Sequence, residues 1–131
     1  MTAKYNENEE CWEIKNRLID VEFEVYDDIE YNENEQKEIM IKTLTRIEEN
    51  WDKLNQNIIN SLWKLYNEEW REEGDPYLSE NEFLKKIIIS VVVIEIAIDE
   101  YGEIKEIIEI EYEDSDLFRG HTIVMEWFPD G

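Results

Sequence analysis

The sequence predicts an α+β domain: an antiparallel sheet of about four strands, with one face covered by a long or broken amphipathic helical segment. Three observations lead there. Between residues 19 and 25 apolar and acidic residues alternate with a period of two. Between 35 and 70 apolar residues recur every three or four positions, the stripe of an amphipathic helix. From 87 onward the period returns to two, in Ile/Val-rich runs separated by turn residues.

In chain order, residues 1–11 are read as a loose leader to a single domain spanning 1–131. In Ile19-Asp20-Val21-Glu22-Phe23-Glu24-Val25 the four apolar residues fall on one face of a strand and the three acids on the other. Residues 27–34 are polar and turn-like. Met40, Leu44, Ile47, Trp51, Leu54, Ile58, Leu62 and Leu65 then form the helical stripe. One unbroken helix over 35–70 would be about 54 Å long, well beyond the ~30 Å width of a small domain. A break is therefore expected at 50–52, where Asn ends a helix and Asp caps the next, or at the polar 55–57. The other outcome is an unbroken helix used for dimerisation.

Gly74-Asp75-Pro76 ends the helical region, and Ser79 with Glu82 reads as a capping box that starts a short helix towards Lys86. Residues 87–98 and 104–112 flank the turn Asp99-Glu100-Tyr101-Gly102, which makes a hairpin. A loop at 113–120 leads to a last strand over 121–128, and Pro129-Asp130-Gly131 is a turn signal.

With 131 residues, 42% hydrophobic and 12% aromatic content, the chain suffices for one core and not for two domains. Five Trp and seven Tyr set it apart from charged disordered segments, which are poor in aromatics. The longest apolar run, 87–94, is interrupted by Ser90 and is too short to cross a bilayer. Residues 1–10 are polar and acidic, unlike the basic-then-apolar start of a secretion signal, so the expected location is the cytoplasm. Cys11 is the single cysteine, which excludes an internal disulfide and a multi-cysteine zinc site. It reads as a small hydrophobe near the first strand.

The formal net charge is −22, and the acids concentrate in the strand-forming ends. Residues 39–73 carry seven acidic and five basic side chains, whereas 1–38 carry thirteen and four, and 74–131 carry fifteen and four. Self-repulsion on this scale weakens the compact state. Helices covering one sheet face would leave the other open and acidic, with Glu95, Asp99, Glu109 and Glu111 alternating with Ile and Tyr along the hairpin. Such a face is either a solubilising surface or a docking surface for a basic protein. Nucleic acid is excluded as a partner because phosphate binding needs a basic footprint.

Metal binding by Glu111, Glu113, Asp114 and Asp116 lacks the alternating Asp/Asn positions, the Gly and the distal Glu of a calcium loop. His121, the only histidine, could pair with Cys11 as thiol and imidazole, but an acidic surround raises a thiol's pKa and lowers its reactivity. A structural role for His121 is the plainer reading. There is no G-x-S-x-G, no phosphate-cradling glycine loop and no H-E-x-x-H. No catalytic residue, metal ligand or cofactor is assigned, and the chain is not read as an enzyme. Trp51, Trp63 and Trp70 lie in or beside the helical stripe and are read as core, with a partner-binding hot spot as the second reading.

Leu117-Phe118-Arg119-Gly120-His121-Thr122-Ile123 resembles a motif, LF-x-GH-[ST]-I followed by a strand, of small bacterial domains from uncharacterised families. The order of elements over 12–128 is similar too: an early strand, a helical segment ending in the aromatic-rich Leu62-Trp63-Lys64-Leu65-Tyr66, then acidic strands. Some of these families look like immunity proteins of polymorphic-toxin and contact-inhibition gene clusters, typically acidic and acting by binding a toxin. Two departures stand out. Arg119 occupies a position where the family pattern commonly has a second Gly, and this chain ends at Gly131 where the pattern continues past a D-x-G turn into another strand. The resemblance implies no catalysis by the histidine, so Leu117, Phe118, Gly120 and His121 are expected to be structural.

The expectation is therefore a non-catalytic acidic binding protein of the immunity type that neutralises a basic toxin by occlusion. Its docking residues would be Glu95, Glu109, Glu111, Glu113, Asp114 and Asp116. The alternative is a structural or regulatory module that self-associates as a homodimer through its aromatic helices.

Overall fold

The chain begins with two short antiparallel strands, β1 (Thr2–Asn6) and β2 (Cys11–Lys15), where a loose leader was expected. Contacts that leave no periodic signature hold them. Tyr5 lies edge-on to Trp12 with ring centroids 5.3 Å apart, and the Asn6 amide donates to the Glu13 carboxylate at 3.0 Å. Such cross-strand pairs stabilise a hairpin without any apolar alternation. The computed structural model describes residues 2–8, 11–15, 20–27 and 30–127. Strand β3 (Asp20–Asp27) pairs antiparallel with β2. Of the alternation expected there, Ile19 lies outside the described residues, as do the side chains of Asp20, Val21, Glu22, Phe23 and Val25.

Helix α1 (Glu33–Glu49) opens with a capping box: Asn32 Oδ1 accepts from the Glu35 N–H at 2.9 Å, and the Glu35 carboxylate accepts from the Asn32 N–H at 3.2 Å. The helix breaks at Asn50, as expected. The Asn50 N–H and side-chain amide both donate to the Arg46 carbonyl, at 3.1 and 2.8 Å, ending the first helix before α2 (Trp51–Ile58) begins. The helical backbone then runs on through two π-type segments, Ile59–Trp63 and Tyr66–Trp70, which nothing in the sequence pattern announced. Such wide turns rotate the residues that follow them. From these two segments the Trp63 Nε1–H donates to the Leu78 carbonyl at 2.7 Å, while the Asn67 amide brackets Leu78, accepting from its N–H and donating to its C=O at 3.0 Å each. The return loop is thereby tied to the helix. Helix α3 (Glu80–Lys86) starts at the expected capping box of Ser79 and Glu82, whose backbone bond holds the Glu82 carboxyl below the usual range.

Strands β4 (Ile88–Ile98), β5 (Ile104–Glu113) and β6 (Ile123–Trp127) complete a six-stranded sheet in the order β1-β2-β3-β4-β5-β6. All neighbours are antiparallel except β3 and β4, which run parallel. The α+β class stands, with a sheet that is larger than expected and mixed. The physical reason is the helical segment itself: placed between β3 and β4, it is long enough to be the crossover that a parallel pair requires. In the β4–β5 turn the Asp99 carboxylate accepts from the N–H groups of Tyr101 and Glu103, at 2.9 Å each, and Gly102 takes a φ of 78°. These bonds, led by that from Glu103, hold its carboxyl below the usual range. Phe128 and the turn at 129–131 lie outside the described residues.

The helical stripe and one sheet face meet in a single core. Met40, Leu44, Ile47, Leu54, Ile58, Tyr66 and Phe83 from the helical side join Ile89, Val92, Ile94 and Ile96 of β4 and Ile108, Ile110 and Tyr112 of β5. Burying such side chains stabilises the fold by roughly 1.5–3 kcal/mol each. Ser90, at a register shift between Ile89 and Val91, keeps both halves of β4 facing this core, and its hydroxyl donates to the Glu111 carbonyl at 3.3 Å. Among the described residues no helix is long and apolar enough to cross a membrane.

Candidate functional site

Because strand residues alternate, burying Val92, Ile94, Ile108 and Ile110 turns Val91, Val93, Glu95, Glu109 and Glu111 to the opposite face. Glu95 is exposed and the other four are half-buried. On the neighbouring β6 the same rule turns Val124 and Glu126 outward, both exposed. The register sets Glu111 opposite Val124, and Glu109 opposite Glu126. On the other side Glu109 faces Val93, and Glu95 faces Ile107. The outer face is therefore a field of carboxylates standing on short apolar residues. Among the described residues none of Glu95, Glu109, Glu111 and Glu126 is in an ion pair; Lys105, the cation of β5, lies 3.7 Å from Asp99. Glu126 was not among the residues singled out from the sequence. Its alternation with Val124 was visible, but a five-residue strand gives the pattern little weight.

The loop carboxylates divide into two kinds. Glu113 and Asp116 are exposed, whereas Asp114 is only 9% exposed and is committed to the loop. Its Oδ1 accepts from the Asp116 N–H and its Oδ2 from the Phe118 N–H, at 3.0 Å each. Asp114 thus spends both carboxylate oxygens inside the loop. Glu111, Glu113, Asp114 and Asp116 come together with His121 around one open depression of about 470 Å³. Glu95 is not part of it. No group of three or more His, Cys, Asp or Glu among the described residues is arranged to hold a metal ion. Cys11 opens β2 and His121 precedes β6, four strand spacings away, or about 19 Å along the sheet, and the Cys11 side chain lies outside the described residues.

The 117–121 segment fastens the sheet to the helical end. Phe118, 4% exposed, sits among Tyr66, Trp70 and Phe83, with ring centroids 5.9, 5.5 and 6.4 Å away, and the His121 ring meets Trp70 edge-on at 5.2 Å. Leu117 packs partly buried against the same core. Gly120 has a φ of 84°, and Arg119 also lies in the left-handed region, at 53°, where glycine is at ease and arginine is not. Its guanidinium reaches back to the helical end: one nitrogen is 2.7 Å from the Glu72 carboxylate and 3.3 Å from the Trp70 carbonyl.

Trp51, Trp63 and Trp70 are packed against the core. Beside them the π-type segments and β6 enclose a second groove, of about 560 Å³, with Leu62, Leu65 and Ser61 on one side and Ile123 and Met125 on the other.

No curated protein and no solved structure shows a significant match to the chain. A family model matches residues 2–128, almost the whole length. The chain belongs to that family, the uncharacterized proteins conserved in bacteria designated DUF2262.

Proposed function

We propose that this protein works by binding, without catalysis, and that its partner is a basic protein docking on the acidic outer face of the sheet. The observation that carries this reading is the carboxylate field of Glu95, Glu109, Glu111 and Glu126, without ion pairs among the described residues, on the sheet face opposite the helical core. Like charges set directly across a ladder destabilise it, so Glu109 opposite Glu126 costs the free protein stability that a cationic partner would return. Glu113 and Asp116 extend the field into the 113–122 loop. The resemblance of the 117–123 motif to immunity proteins suggests the form of the activity: occlusion of a basic toxin in the cytoplasm of the producing cell.

Self-association through the aromatic helices has less support. Trp63 spends its N–H on Leu78, and Trp70 is flanked by Phe118 and His121.

Affinity capture from source-cell lysate at low and high salt, with mass spectrometry, tests the proposal. One strongly basic protein retained at low salt and released at high salt is expected, because exposed charges are screened within about 8 Å at physiological ionic strength. Recovery of the bait alone would return the acidic face to a solubilising role.

A further inference from the structure

Strand β6 is the last in the sheet order, and among the described residues it is paired on one side only, with β5. An unpaired strand edge offers a row of backbone N–H and C=O groups to any extended chain, and proteins normally blunt such edges. Here the edge is left beside a groove. Ile58, Leu62 and Leu65 line it from the helical side and Ile123 to Glu126 from β6, around a volume of about 560 Å³, within the 300–1,000 Å³ span of ligand pockets. Part of that wall is π-type helix, a local geometry that recurs at functional sites.

The two sides of this edge differ in chemistry. Towards the helices a new strand would meet Ile123, Met125 and the leucines. Towards the outer face it would meet Glu126, with Glu109 and Glu111 one strand further in. A strand presents successive side chains to opposite faces. The edge therefore selects for a pattern as well as a charge.

We propose that β6 and its groove accept an extended segment of the partner as a seventh strand, with apolar residues alternating with Lys or Arg. Its apolar side chains fill the groove beneath the helix, its basic ones reach the carboxylates of the outer face, and its backbone completes the β6 ladder. This rests on the reading of the protein as an acidic binding module and adds the form in which the partner is recognised. A second copy of the chain fits the edge poorly, since it would set another Glu126 and another net charge of −22 against the first.

The test uses two synthetic ten-residue peptides with blocked ends and identical composition, five Val and five Lys, one strictly alternating and one with the two residue types in separate blocks. The full chain is titrated with each by calorimetry, and amide exchange is followed over 123–127. The alternating peptide is expected to bind at least tenfold more tightly and to slow exchange along β6. Ser61→Trp, or Asn57→Arg as a second variant, alters an exposed residue lining the groove and is expected to bring the alternating peptide down to the level of the blocked one.

Equal, salt-sensitive binding of both peptides, lost in Glu109→Lys/Glu126→Lys, would overturn the strand proposal and leave the acidic face as the docking surface. Binding of neither peptide would overturn the strand proposal, while capture of a salt-released basic protein would still support the binding role. Protection of β6 in the free protein would also overturn it, by assigning the edge to a second copy or to the chain beyond residue 127.

Discussion

The side-chain amide of Asn67 hydrogen-bonds both backbone groups of Leu78, accepting from its N–H and donating to its carbonyl at 3.0 Å each. One side chain thus stands in for a strand partner, fastening the loop after the helical segment to a π-type turn. Leu78 is only 6% exposed, so water cannot readily replace these bonds. Asn67→Ala is expected to lower stability by about 1–3 kcal/mol, read as a lower urea midpoint. Asn67→Asp, which keeps an acceptor for the Leu78 N–H and loses the donor, should fall between.

Asp114 performs a similar service in the 113–122 loop, its two oxygens accepting from the Asp116 and Phe118 N–H groups. Asp114→Ala leaves both without that acceptor and is expected to cost about 2–3 kcal/mol. Loosening of Phe118 should also change the near-ultraviolet circular dichroism of the Tyr66–Trp70–Phe118 cluster. Affinity for a partner should suffer only through stability, and a large loss of affinity in a fully folded Asp114→Asn protein would place Asp114 in the docking set.

Tyr112 is 6% exposed, and burial pushes its hydroxyl up to about 12 from an ordinary 10. The folded state therefore holds the proton where the unfolded chain releases it. The contribution is complete below pH 10 and is lost as pH rises from 10 to about 12, roughly 2–3 kcal/mol in all. Subtracting the alkaline stability profile of Tyr112→Phe from that of the unaltered protein isolates this loss, because other tyrosines and lysines titrate in both. A flat difference over that window would show that the hydroxyl ionises freely in the folded state.

Glu109 and Glu126 face each other across β5 and β6. Glu126→Gln is expected to raise stability by about 0.2–1 kcal/mol, more at low salt than at high, as thermal unfolding at two ionic strengths would show. The same substitution should weaken binding of a basic partner. A surface kept for docking is improved in one respect only at the expense of the other.

How much of this was legible depends on which interactions leave a periodic trace. The helical stripe from Met40 to Leu65, the break at Asn50, the Ser79–Glu82 capping box and the 99–102 turn were all legible, because spacing or turn chemistry encodes each of them directly. The β1–β2 hairpin was not, since Tyr5–Trp12 and Asn6–Glu13 are pairwise contacts between short polar strands. The parallel pairing of β3 with β4 was implicit in the helix between them, and the expectation of an all-antiparallel sheet overlooked that a crossover places its flanking strands side by side. The π-type segments left no trace, because Trp63 and Asn67 find their partner in Leu78 only once the return loop is in place. For the candidate site, alternation along β4 and β5 located Glu95, Glu109 and Glu111 on one face. A count of acids could not tell exposed Asp116 from Asp114, whose side chain the loop consumes.

The central claim, that the outer sheet face is where a basic partner docks, is tested most directly by calorimetric titration of the captured partner into the unaltered protein and into Glu95→Gln/Glu109→Gln/Glu111→Gln/Glu126→Gln, at low and at physiological salt. The account predicts at least a tenfold loss of affinity in the variant at low salt and a shallower dependence on salt. Equal affinity with an unchanged salt dependence would contradict it and place the docking surface elsewhere.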